Sequence, residues 1–158
     1  MDDLVQWLRA QLDKDVRIAR EAGGAAWEEL LVSGWVHTSP LPDTEWLPPG
    51  YDHHVASAPL PADRAHIVAH DPSRVLREID ADRELLAEYG RLLDAHAAHQ
   101  READRLAEAG DDADVIQVAA LRREADYLPA MLHVLERWAK RKAAVYVDRP
   151  GYREEWRP

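Results

Sequence analysis

The sequence predicts a mainly α-helical protein organised around a long antiparallel helical hairpin. Apolar residues recur at three- and four-residue intervals from Val75 to Leu106 and again from Val115 to Trp138, with the turn-forming run Gly110-Asp111-Asp112-Ala113-Asp114 between them. A third stripe of this kind, Leu4, Leu8, Leu12 and Val16, marks an amphipathic helix at the start. At 158 residues the chain fits a single domain. Its parts are an N-terminal helix over 1–22, a Trp- and Pro-rich insert over 25–61, a short helix plus the hairpin over 62–147, and a tail over 148–158.

Asp3 and Gln6 form a capping-box pattern for the first helix, and Gly23-Gly24 ends it. The insert that follows is poor in charge and reads as a small irregular or β-hairpin element. Trp27–Val32 and Trp35–Thr38 flank Ser33-Gly34 as two strands flank a two-residue turn, while Trp27-Glu28-Glu29-Leu30-Leu31-Val32 reads equally as a helical turn. Pro40, Pro42, Pro48, Pro49 and Gly50 then predict a long irregular loop that carries Trp46 and Tyr51.

Helical order resumes near Pro61 with a short helix to Ala69, and Asp71-Pro72 supplies an N-cap followed by proline at a first helical position. The helix it opens, Pro72 to Ala109, would span about 57 Å at the α-helical rise. Folding the chain about Gly110-Asp111 sets Leu93 by Leu128, Tyr89 by Leu132 and Leu86 by Leu135. The same register brings His133 near Glu88 and Tyr89, in reach of a buried hydrogen bond. Asp148-Arg149-Pro150-Gly151 stops the second helix, and the tail Tyr152-Arg153-Glu154-Glu155-Trp156 is aromatic enough to be expected to dock.

Composition removes several classes of function. The chain has no cysteine, which excludes disulfides, thiolate zinc sites and cysteine nucleophiles and makes the cytoplasm the expected compartment. Met1-Asp2-Asp3 presents no basic region before an apolar run, and no stretch approaches about 18 consecutive apolar residues, so neither secretion nor membrane insertion is expected. A net charge of −10 opposes binding of nucleic acid, whose phosphates need a cationic face. Arg137, Lys140, Arg141 and Lys142 gather near the end of the second long helix, where cations favour the negative end of the helix dipole.

Histidine is the most suggestive of the residue types that do chemistry. His66 and His70 stand four apart, a spacing that puts two imidazoles on one helical face, and a divalent metal is the cofactor such a pair takes. Asp71 adjoins the pair, and Asp52, His53, His54 and Asp63 precede it as further candidate ligands or supporting groups. The glutamate of the His-Glu-x-x-His zincin pattern is absent. None of the serines lies in a Gly-x-Ser-x-Gly elbow, and no phosphate loop or dinucleotide fingerprint is present, so no catalytic residue and no organic cofactor is assigned.

Three stretches resemble a family of uncharacterised proteins from actinobacteria and their phages. They are Met1-Asp2-Asp3-Leu4-Val5-Gln6-Trp7-Leu8, the run from Ala65-His66-Ile67-Val68-Ala69-His70-Asp71-Pro72 to Ile79, and the tail Pro150-Gly151-Tyr152-Arg153-Glu154-Glu155-Trp156-Arg157-Pro158. A further similarity runs to early-region accessory proteins of lambda-like phages, which also place a tryptophan turn before a helix. These resemblances imply a mobile-element or accessory context and bring no activity with them. The sequence therefore reads as a non-enzymatic interaction or accessory protein whose contact residues are Trp46 and Tyr51 in the loop and Tyr152 and Trp156 in the tail. Its expected partner is another protein or a second copy of itself, because helices this long leave apolar stripe uncovered. The alternative is a metal-binding protein or metal-dependent hydrolase centred on His66 and His70.

Overall fold

The computed structural model describes residues 2–30, 35–38, 54–58, 60–109 and 115–158. Its first element, α1 (Asp2–Glu21), buries Leu4, Val5, Leu8, Leu12, Val16 and Ala19 on the stripe expected from their spacing. The helix starts two residues earlier than the capping-box reading required, so Asp3 sits inside the first turn. Its carboxylate pairs with Arg153 instead, at 2.9 Å. Gly23 and Gly24 take positive φ angles of 99° and 64° and donate to the carbonyls of Arg20 and Ala19, which closes the helix with a Schellman-type turn.

The insert is a small antiparallel sheet. Strands β1 (Trp27–Leu30) and β2 (Trp35–Thr38) pair with Trp27 opposite Thr38 and Leu30 opposite Trp35, which decides for the hairpin against the helical turn. Ser33-Gly34, the expected turn, lies outside the described residues. A third strand, β3 (His54–Ser57), pairs with the other edge of β2. Local sequence does not announce it: His-Val-Ala-Ser holds a single β-branched residue, and long-range pairing with β2 is what makes it a strand.

Helix α2 (Pro61–Ala69) packs on β1 and β2, with proline in its first turn as expected. From it the buried Arg64 reaches back and its Nη1 donates to the Ala58 carbonyl at 2.7 Å, giving a desolvated guanidinium a partner. After His70 the chain turns into α3 (Pro72–Ala109). Asp71 caps this helix: its Oδ1 accepts from the Arg74 amide at 2.7 Å and from the Ser73 hydroxyl at 2.6 Å. Burial alone would push this carboxyl up, but the hydrogen bonds from Ser73 and Arg74 and the charge of Arg77 outweigh it and hold the group below its ordinary value.

Replacing the cap, Asp71→Ala, is expected to cost about 0.5 to 2 kcal/mol near neutral pH. A depressed folded-state carboxylate stabilises fully above the unfolded-state value and loses that effect as pH falls through the folded one. The gap between wild type and variant in urea unfolding should therefore shrink on acidification through the carboxylate range. A gap independent of pH would deny the cap its charge.

Helix α3 is followed by α4 (Val115–Ala144), which continues through Pro129. The two run antiparallel, since Lys142 late in α4 pairs with Asp82 early in α3 at 2.5 Å, and Glu136 acts electrostatically on Tyr89. The pairs Asp82 with Lys142 and Tyr89 with Glu136 locate the two helices against one another, with α3 ending at Ala109 and α4 starting at Val115. His133 lies exposed and not in the expected buried hydrogen bond.

Contacts divide the chain into two compact units. One comprises Met1–Gln11 with Asp82–Pro158, and its core holds Leu4, Leu8, Leu86, Tyr89, Leu128, Ala139 and Ala143. The other, Leu12–Ala81, buries Leu12, Val16, Val36, His37, Ala58 and Ile79. No described helix is long and apolar enough to cross a membrane.

Candidate functional site

The tail forms the first candidate. Beyond α4 the backbone turns through Tyr146 and Arg149, reverses at Gly151 and ends in a 3-10 turn at Glu154–Trp156. Trp156 is 6% exposed and packs on Trp7 of α1, the ring centroids 5.1 Å apart. Tyr146 and Tyr152 meet the same Trp7 ring edge-on, at 6.3 Å and 5.9 Å. The Trp7 indole N–H donates to the Pro150 carbonyl at 3.1 Å, and guanidiniums lie over two of the rings, Arg149 over Tyr146 and Arg153 over Trp156. The tail docks as expected, and the docking gives Trp156 a core role while leaving Tyr152 half-buried. Trp46 and Tyr51, the other expected contact residues, lie outside the described residues.

The histidine pair forms the second. His66 and His70 are exposed at the end of α2 with ring centroids 4.3 Å apart, so the predicted common face is real. The Nδ1 of His70 lies 2.8 Å from the His66 carbonyl, which can only accept. Nδ1 therefore carries the proton in this contact. Among the described residues, no group of three or more His, Asp or Glu side chains is placed to hold a metal ion. Asp71, the adjacent carboxylate, is engaged as the cap of α3; Asp52 and His53 lie outside the described residues.

The third candidate was not anticipated. Helix α4 buries Leu128, Ala139 and Ala143 on one face and carries a second apolar row about a third of a turn round the helix from it. Tyr127, Met131 and Val134 are 52%, 42% and 64% exposed, and the half-buried Trp138 continues the row. Exposed Arg137 and Arg141 border it, with no ion-pair partner among the described residues, and α4 shows no exposed carboxylate from Tyr127 onward, its single acid there, Glu136, pairing with Lys140 at 3.0 Å. The signal was present in the spacing 127, 131, 134, 138. It was hidden because the stripe expected to face the core, 121, 128, 132, 135 and 138, has helical periodicity too and shares Trp138 with it, and periodicity alone does not say which of two rows is covered.

A family model described as a family of unknown function, DUF6221, matches residues 1–158. The chain belongs to this family. No curated protein and no solved structure matches it. The DUF6221 match takes in all three stretches on which the sequence resemblance rested, and two of these now have a physical account. The stretch around Asp71-Pro72 is the start of a long helix, and the tail is the aromatic lock on α1.

Gly151 shows how closely this lock is fitted. Its φ of +85° is left-handed, and a Cβ there would stand 3.0 Å from Trp7 Nε1. Gly23, at φ +99°, has open space around its missing Cβ. Both alanine variants should lose about 1 to 2 kcal/mol through the backbone, and Gly151→Ala should lose more because Trp7 must also shift. Urea midpoints of the two variants test this, and equal losses would mean that the approach of Gly151 to Trp7 is immaterial.

Proposed function

We propose that this DUF6221 member is a non-enzymatic interaction protein, an accessory protein of actinobacterial or phage origin, with its helical hairpin as scaffold. The observation that carries the reading is the exposed apolar row of α4. Side chains of this size gain little by facing water, and a contiguous row of them beside a buried face is the usual mark of a contact surface. The aromatic lock supports the reading from the other side. It engages Trp7 and Trp156 in holding the tail that follows α4 to α1, so these aromatics serve the scaffold.

A photo-crosslinking residue at Val134, expressed in cells, tests the proposal, with Asp104 on an exposed polar position of α3 as control. Val134 should give a discrete adduct that disappears in a Met131→Glu background, and Asp104 should give none. If neither position reacts, or both give the same featureless smear, the interaction reading fails.

A further inference from the structure

We infer that the occupant of the α4 row is a second copy of this chain, seated antiparallel across a twofold axis at Val134; the inference rests on the interaction reading above. The argument is the self-complementarity of the row. An isologous contact requires that the residue meeting position j from position i also be met by i from j. Antiparallel helices satisfy this when positions equally far before and after the axis fit one another.

About Val134 they do. Four residues to either side stand the exposed Ala130, which borders the row, and Trp138, the row's largest member, a small side chain against a large one. Seven residues to either side stand Tyr127 and Arg141, both exposed, an aromatic ring against a guanidinium. Three to either side, the flexible Met131 faces the stem of Arg137. The offsets of three, four and seven keep all of these on one helical face. Charge supplies the complementarity at the ends: a cation over a tyrosine face is attracted by the ring quadrupole, and the chain uses the same pairing internally at Arg149 and Tyr146, 4.4 Å apart. The axis itself falls on Val134, the most exposed member of the row in α4. No carboxylate faces another across the contact, although the chain carries a net charge of −10 that opposes self-association through its other surfaces.

The absence of native cysteine makes the geometry directly testable. In Val134→Cys the two thiols approach each other across the axis, and mild oxidation should give a disulfide-linked dimer. Tyr127→Cys should not crosslink, because seven residues from the axis put its two copies about 20 Å apart. Tyr127→Cys combined with Arg141→Cys should crosslink again. By sedimentation the unmodified chain should be dimeric, and Val134→Glu should weaken the dimer by at least about a hundredfold with unchanged circular dichroism.

A monomer at all concentrations, or a dimer indifferent to Val134→Glu, overturns the inference. Crosslinking of Tyr127→Cys alone, with Val134→Cys inert, overturns the axis. A monomer that still gives the in-cell adduct at Val134 leaves the interaction reading standing with a different protein as occupant, so the two failures are told apart.

Discussion

Trp156→Ala is expected to destabilise the unit that contains the tail by about 3 to 5 kcal/mol, the range for removing a large buried aromatic side chain. The ring is 6% exposed, stacks on Trp7 and carries the Arg153 guanidinium on its face. Its loss leaves a cavity beside Trp7 and frees the residues after Tyr152 from their main anchor, since the Arg153–Asp3 pair that also ties them to α1 is a solvent-exposed ion pair worth little. Urea unfolding followed by circular dichroism should show the loss in stability. Trypsin should cut rapidly after Arg153 in the variant and slowly in the wild type. A loss below about 1 kcal/mol with unchanged proteolysis would mean that the tail is not part of the core.

Tyr89 is the second position where a large effect is expected. It has no exposed surface, and Tyr89→Ala should cost about 3 to 5 kcal/mol as a large aromatic removed from the centre of the hairpin. The more informative change is Tyr89→Phe. Burial, reinforced by the negative charge of Glu136, pushes the Tyr89 phenol up to about 12 from its ordinary 10.0. Below the ordinary value both folded and unfolded chains keep the proton and the contribution is complete. As pH rises between the two values the unfolded chain loses its proton while the folded chain keeps it, so stability falls. Wild type should therefore lose stability through this window more steeply than Tyr89→Phe, which lacks the group, and the two curves should converge or cross. Parallel alkaline limbs would show that the phenol ionises as easily in the fold as out of it.

These two residues also show how far the sequence could be read. Tyr89 and Trp156 were both marked by spacing or composition, Tyr89 as a member of a helical stripe and Trp156 as an aromatic in a tail expected to dock. What spacing could not supply was their partners. Tyr89 lies near enough to Glu136, on the other arm of the hairpin, to feel its charge, and that proximity depends on where each helix stops. Trp156 was expected in a docked tail that also served as contact surface; Trp7, in reach only once the chain has returned to its start, is what it docks against.

The candidate surfaces divide in the same way. The common face of His66 and His70 follows from a four-residue spacing on a helix and needed no tertiary information. The α4 row did need it, because two apolar rows on one helix are equivalent until packing covers one of them. The sheet gives the third case: β1 and β2 were one of two readings open to the runs that flank Ser33-Gly34, the other being a helical turn, whereas β3 exists through pairing with a strand more than a dozen residues away.

By itself, then, the sequence determined the elements whose cause is local. These are the three long amphipathic helices, the Asp71 cap and the Gly23-Gly24 stop, each set by interactions within about a turn of chain. Tertiary structure alone decided the hairpin register, the third strand, the burial of Trp156 against Trp7, and which row of α4 faces water. Each of these compares surfaces far apart in the chain, and local periodicity is the same whichever of them ends up buried.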